Sequence, residues 1–171
     1  VEGGALAVEN TLKAAFDWKI RRNQARGIRG ELGTKVIHFR QAFHGRSGYT
    51  LSLTNTFDPR KTELFPKFDW PRVSNPKVVF PLAEHRAEVE AAEQQALREI
   101  EEVVERSRGD IACLIVEPIQ AEGGDNHFRP EFLASLRRAA DEHDFLLIFD
   151  EVQTGVGLTG TMWAWEGLGV E

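Results

Sequence analysis

The sequence predicts an α/β fold, a mostly parallel sheet with helices on both faces. Two apolar runs and the helix between them carry that prediction. Residues 111–117, "IACLIVE", and 145–149, "FLLIF", are apolar with no polar alternation, the pattern of strands covered on both faces. Residues 130–144, "PEFLASLRRAADEHD", read as a helix. Pro130 suits its first turn, and Phe132, Leu133, Leu136 and Ala140 form one apolar stripe. Strand, helix and strand in that order make a βαβ unit with parallel strands and a right-handed crossover.

The other elements follow along the chain. Ala5, Val8, Leu12, Ala15 and Phe16 recur at helical spacing, so residues 5–22 are expected to be an amphipathic helix, entered through Gly3 and Gly4. "TKVIHFR" (34–40) is β-branched and short, and reads as a strand feeding the loop "QAFHGRSG". Residues 55–82 hold five of the seven prolines. That density excludes helices and central strands and predicts a long irregular loop that covers a site or makes an interface. Residues 83–108 are rich in Ala, Glu, Gln and Arg and predict a long helix. The stretch 83–110 carries nine acids against four arginines, hence −5 of the net −6. Its charges read as a solvated helix face.

Composition narrows the class of protein. A chain of 171 residues with 42% hydrophobic and 28% charged residues is enough for one domain with a core. No run of apolar residues reaches the length of a membrane span, and no signal-peptide pattern is present. The single cysteine, Cys113, excludes an internal disulfide framework and fits a reducing, cytoplasmic setting. Net negative charge argues against a nucleic-acid partner. The first residue is Val1, the only methionine is Met162, and the opening residues already read as a helix. The chain is therefore expected to be a segment of a longer protein.

Ligands of such sheets bind beyond the carboxyl ends of the strands. "EPIQAEGGD" (117–125) and "DEVQTG" (150–155) both follow strand ends, so adjacent strands would open both loops onto one edge. An apolar strand ending in Asp-Glu also suits a phosphate-loop ATPase. That chemistry needs a G-x-x-x-x-G-K-[ST] companion, and no glycine here precedes a lysine. The five histidines show no metal-binding spacing. The start of the first helix, at Gly4 and Ala5, offers open backbone N–H groups to an anion, or else simply permits close packing. In "AFHGRSG", Phe43 is suited to stacking on a planar ligand and Arg46 to pairing with a carboxylate, against the plainer reading of a core Phe and a surface Arg.

Taken in order, "EGGALAVENTLKAAF", "FHGRSGYTLSLTNT", "FPKFDWPR", "EPIQAEGGD" and "LLIFDEVQTGVGLTG" closely resemble the class III (ornithine/GABA-type) pyridoxal-phosphate aminotransferases over essentially the whole chain. The resemblance implies the fold type I large domain of that family, with residues 1–171 forming part of it. It also implies pyridoxal 5'-phosphate as cofactor. The amides of Gly4 and Ala5 would hold its phosphate. Phe43 would stack on the ring with His44 beside it, and Val152 would cover the opposite face. Asp150 would pair with the protonated ring nitrogen, and Gln153 would bond the phenolic oxygen.

For substrate, the resemblance implies Arg46 as the partner of the α-carboxylate and Glu122 as a gate, pairing with a distant arginine while an ω-amino substrate binds. Glu117 and Glu151 are expected to be supporting residues. "VEGGALAVEN" and "FHGRSGYTLSLTNT" favour transfer of the ε-amino group of L-lysine to 2-oxoglutarate, with GABA and ornithine as alternative donors. A homodimer is implied for the complete protein. The family's Schiff-base lysine, the arginine partner of Glu122 and the small domain lie downstream of Glu171. A non-catalytic remnant is the competing expectation.

Overall fold

The computed structural model describes residues 1–28, 30 and 32–170. Strands β1 (Lys35–Phe39), β2 (Arg72–Val73), β3 (Ile111–Val116) and β6 (Leu146–Phe149) form a parallel sheet in the order β2-β1-β3-β6. A separate antiparallel pair, β4 (Ile119–Gln120) and β5 (Asn126–His127), makes a small hairpin just beyond β3. The helices are α1 (Gly4–Ala25), α2 (Thr50–Leu53), α3 (Leu82–Ser107), α4 (Pro130–His143) and α5 (Ala164–Gly167).

The two faces of the sheet explain the absence of alternation. On one face Ile37, Phe39, Leu114 and Val116 pack with Ala96 and Ile100 of α3 and with Phe132, Leu133 and Leu136 of α4. On the other, Val36, Ala112 and Ile115 pack with Val8, Leu12 and Ala15 of α1. A strand that feeds both layers needs an apolar side chain at every position. β3 is buried throughout. β6 departs from the expectation of full cover, since all four of its residues are only half-buried. It lies at the edge of the sheet, where among the described residues no strand pairs with its outer side.

The proline-rich stretch is mostly irregular, but it also supplies β2, which pairs with β1 through His38–Arg72 and Phe39–Val73. Pro71 precedes this edge strand, where its missing N–H costs no ladder bond. A three-residue 3₁₀ turn, Pro59–Lys61, is seeded by Asp58, whose carboxylate accepts the Arg60 N–H.

Charge clusters lock the helices to the frame. The side chain of Asp144, the left-handed residue that ends α4, accepts from Arg22 Nε and Arg26 Nη1 at 2.5 Å each and pairs with Lys19 at 3.3 Å. Burial works to raise the Asp144 carboxyl, but the Arg22 and Lys19 bonds outweigh it and hold it below the usual range. Arg129, at the start of α4, meets Glu93 of α3 in a two-pronged pair at 2.8 and 2.6 Å. The Asp144 ties join the C-terminal end of α1 to the entry of β6, and the Arg129 pair joins α4 to α3.

Candidate active site

The register of β3 and β6 sets the site. Val116 pairs with Phe149, so the next residues, Glu117 and Asp150, leave the sheet side by side. The Asp150 N–H donates to Val116 O at 2.9 Å, extending the ladder by one rung before the chain turns. Asp150 Oδ1 then accepts the Val152 N–H at 3.1 Å. That bond turns residues 152 and 153 back toward the sheet edge.

The loop after β1 closes over both acids. Phe43 N–H donates to Glu117 Oε1 at 2.8 Å, and His44 N–H donates to Thr54 Oγ1 at 3.1 Å. The His44 ring then meets Asp150, with Nδ1 and Oδ2 2.7 Å apart and both side chains buried. An ionised carboxylate only accepts, so Nδ1 carries the proton of this bond. The other ring nitrogen, Nε2, is buried and has no hydrogen-bond partner among the described residues. Glu9 of α1 pins the far end of the loop, accepting from Ser47 Oγ and Tyr49 N–H, each at 2.8 Å.

Helix α1 contributes its open end. Gly3 caps it with φ 86°, a left-handed value suited to glycine, and no side chain caps the end. Ala7 N–H reaches Gly3 O, so the amides of Gly4, Ala5 and Leu6 have no acceptor within the helix. A Cβ on Gly4 would lie 2.7 Å from Val152 Cγ1, so Val152 sits against the helix start only because position 4 is bare.

These pieces surround a cavity of about 430 Å³, lined by Gly4, Ala5, Phe43, His44, Gly45, Arg46, Ser47, Glu117, Asp150, Val152 and Gln153. The size suits a small molecule, for which pockets run from roughly 300 to 1,000 Å³. Eight of the nine residues expected at the site thus converge. Arg46 also lines a second cavity of about 280 Å³ with Leu51, Lys61 and Phe65. Glu122 is not brought into the main cavity. It lies on the turn after β4 and pairs with Lys61 of the 3₁₀ turn.

The two acids of "DE" separate completely. Asp150 is 7% exposed and faces the cavity. Glu151 points the other way, accepting from the amides of Ala164 and Trp165 at the start of α5 and from Thr154 Oγ1. Glu117, expected beside the site, also lines the cavity. Burial pushes its carboxyl up to about 7, opposed by His44 and the Phe43 amide and reinforced by Asp150 and Glu122. The signal that could have found it is the pairing of strand ends, which puts both following acids at one edge.

These groups fit an anionic, planar, basic ligand: open helix amides for an anion, an aromatic side chain for a ring, and a buried carboxylate for a protonated nitrogen. The class-III aminotransferase family profile matches residues 1–171. The chain belongs to the class III aminotransferases. As a member of that family, it is 62% identical over 170 residues to an L-lysine-epsilon aminotransferase of Mycobacterium tuberculosis, covering 99% of this chain and 37% of that protein. A solved lysine aminotransferase from M. tuberculosis in the internal aldimine form superposes with TM-score 0.95 at 62% identity, over 100% of this chain and 39% of that one. A 4-aminobutyrate aminotransferase of Dictyostelium discoideum is 42% identical over 137 residues, 80% of this chain and 28% of the other. This class III aminotransferase chain therefore spans little more than a third of the length of its lysine-type relatives.

Proposed function

We infer that this chain is the cofactor-cradling part of the large domain of a pyridoxal-phosphate-dependent L-lysine ε-aminotransferase. The observation that carries the reading is the buried Asp150 carboxylate, held by His44 in the wall of a cavity that also contains the open start of α1. The 62% identity to a lysine-type enzyme, against 42% to a GABA-type one, supports lysine as donor.

Each residue has a part in that function. The Gly4 and Ala5 amides bind the phosphate, favoured by the helix dipole. Phe43 and Val152 confine the ring, and Gln153 donates to its phenolic oxygen. Asp150 holds a proton on the ring nitrogen, and the His44 bond fixes the rotamer in which it does so. Bound pyridoxal phosphate supplies an electron sink for the electron pair left when a C–H bond beside the amino group breaks. Arg46, exposed at the cavity, orients the substrate carboxylate. Glu122 acts as the gate that distinguishes lysine from 2-oxoglutarate, with Lys61 as its partner in this conformation.

The working form we infer is a cytoplasmic homodimer. Free, buried Cys113 fits a reducing compartment. Phe57, Leu64, Phe65, Phe68 and Phe80 stand exposed on the long loop, which supports burial of that face by assembly. Among the described residues no helix is long and apolar enough to cross a membrane.

The test is a comparison of kcat/KM for L-lysine, L-ornithine and GABA, with 2-oxoglutarate as acceptor, in the full gene-encoded protein. Lysine is expected to be preferred. A preference for GABA would overturn the lysine assignment, and no transfer from any of the three would overturn the transaminase reading.

A further inference from the structure

Glu117 has no part in the function derived above, yet it is 4% exposed and lines the same cavity. One oxygen accepts the Phe43 N–H at 2.8 Å, across 74 residues of sequence. That bond fixes the backbone of the aromatic residue expected against the cofactor ring. The groups that face Glu117 are His44 from the loop after β1, Asp150 from the end of β6 and Glu122 from the turn after β4. Arg46 lines the same cavity.

A clamp on Phe43 does not by itself require an acid. A neutral acceptor would hold the amide without the cost of burying a charge. An acid here places a titratable charge beside the His44–Asp150 pair. Its carboxyl lies near 7, so that charge appears or vanishes around neutral pH. When Glu117 is ionised, its negative charge raises the proton affinity of a group that pairs with Asp150. When Glu117 is neutral, that effect is gone.

We propose that Glu117 is a positioning residue of the cofactor cavity: its bond to the Phe43 amide fixes the aromatic wall, and its charge acts on the ring nitrogen that would pair with Asp150. The proposal rests on the cofactor assignment made above, because the ring nitrogen is the group through which the pair is read.

The experiment uses the full gene-encoded protein, loaded with pyridoxal phosphate, as wild type, Glu117→Gln and Glu117→Leu. Two quantities are measured without turnover: the cofactor Kd, and the pH midpoint of the absorption change of the bound cofactor. Gln keeps the acceptor for Phe43 and removes the charge. It should leave Kd within a few-fold of wild type and move the midpoint down by about one pH unit. Leu removes both the acceptor and the charge and should weaken Kd at least tenfold as well.

A Gln variant whose midpoint superposes on wild type overturns the electrostatic role. A Leu variant with wild-type Kd overturns the clamp. If Leu does not fold, the Gln midpoint alone decides the proposal. Failure of the functional reading looks different: wild-type protein that takes up no pyridoxal phosphate, or that holds it and transfers no amino group from lysine.

Discussion

Asp150 and Glu151 are neighbours in sequence with opposite duties. Asp150 spends both oxygens inside the site, one on His44 and one on the Val152 amide. Asp150→Asn keeps the shape of the side chain and removes its charge, so a charge-assisted bond worth about 1.5–3 kcal/mol is lost. In the full gene-encoded protein the variant should still load at saturating pyridoxal phosphate. Its kcat with lysine should fall about 10²-fold or more, because a fixed charge facing the reacting system has gone. Cofactor absorbance and steady-state rates on one preparation check both halves, and near-normal kcat would contradict the role. This contrast was half visible in the sequence. The pattern placed two acids at a strand end, and only the motif resemblance favoured the first. The Glu117–Phe43 contact was not visible at all, since it joins loops that only the sheet brings together.

At the scale of elements, Glu151 is an anchor for α5. It accepts the Ala164 N–H at 2.9 Å and the Trp165 N–H at 3.0 Å, two donors that a four-residue helix cannot satisfy internally. Glu151→Ala should cost about 1 kcal/mol, the usual effect of losing a helix cap. The loss should show as a lower thermal midpoint and faster proteolysis between residues 152 and 163, with cofactor affinity nearly unchanged. A collapse of cofactor affinity would mean that Glu151 acts in the site instead. The long elements were legible because their periods are long: the stripe of α4, the unbroken run of β3 and the acidic face of α3. Those that were missed are short. Arg72–Val73 is two residues beside a proline and carries no pattern of its own, so only its pairing with β1 makes it a strand. β6 reads like β3 in sequence, and its partial exposure goes with its place at the edge of the sheet formed by the described residues.

For the molecule as a whole, two buried groups give the pH dependence of stability opposite slopes. His38 lies under α2, with Nδ1 3.1 Å from Leu53 O. Burial above all, aided by Arg72 and His44, pushes its imidazole from 6.5 down to about 3. Below 6.5 the unfolded chain takes up a proton that the native chain refuses until about 3. The contribution of His38 is therefore complete above pH 6.5 and is lost as pH falls towards 3, at up to about 1.4 kcal/mol per pH unit. Glu117 works in the other direction. Its carboxyl rises from 4.5 to about 7, so the unfolded chain releases a proton that the native chain keeps. Stability is lost as pH climbs from 4.5 to about 7. Between 4.5 and 6.5 the two slopes oppose each other and the profile flattens. Thermal midpoints of the full gene-encoded protein across pH 4–8, taken as differences from wild type, isolate each group from the remainder of the chain. His38→Leu should gain on wild type as pH falls below 6.5. Glu117→Gln should gain on wild type as pH rises from 4.5 to about 7. Parallel profiles for wild type and both variants would show that neither group changes its proton affinity on folding, and the buried electrostatics drawn for β1 and the cavity would then be wrong.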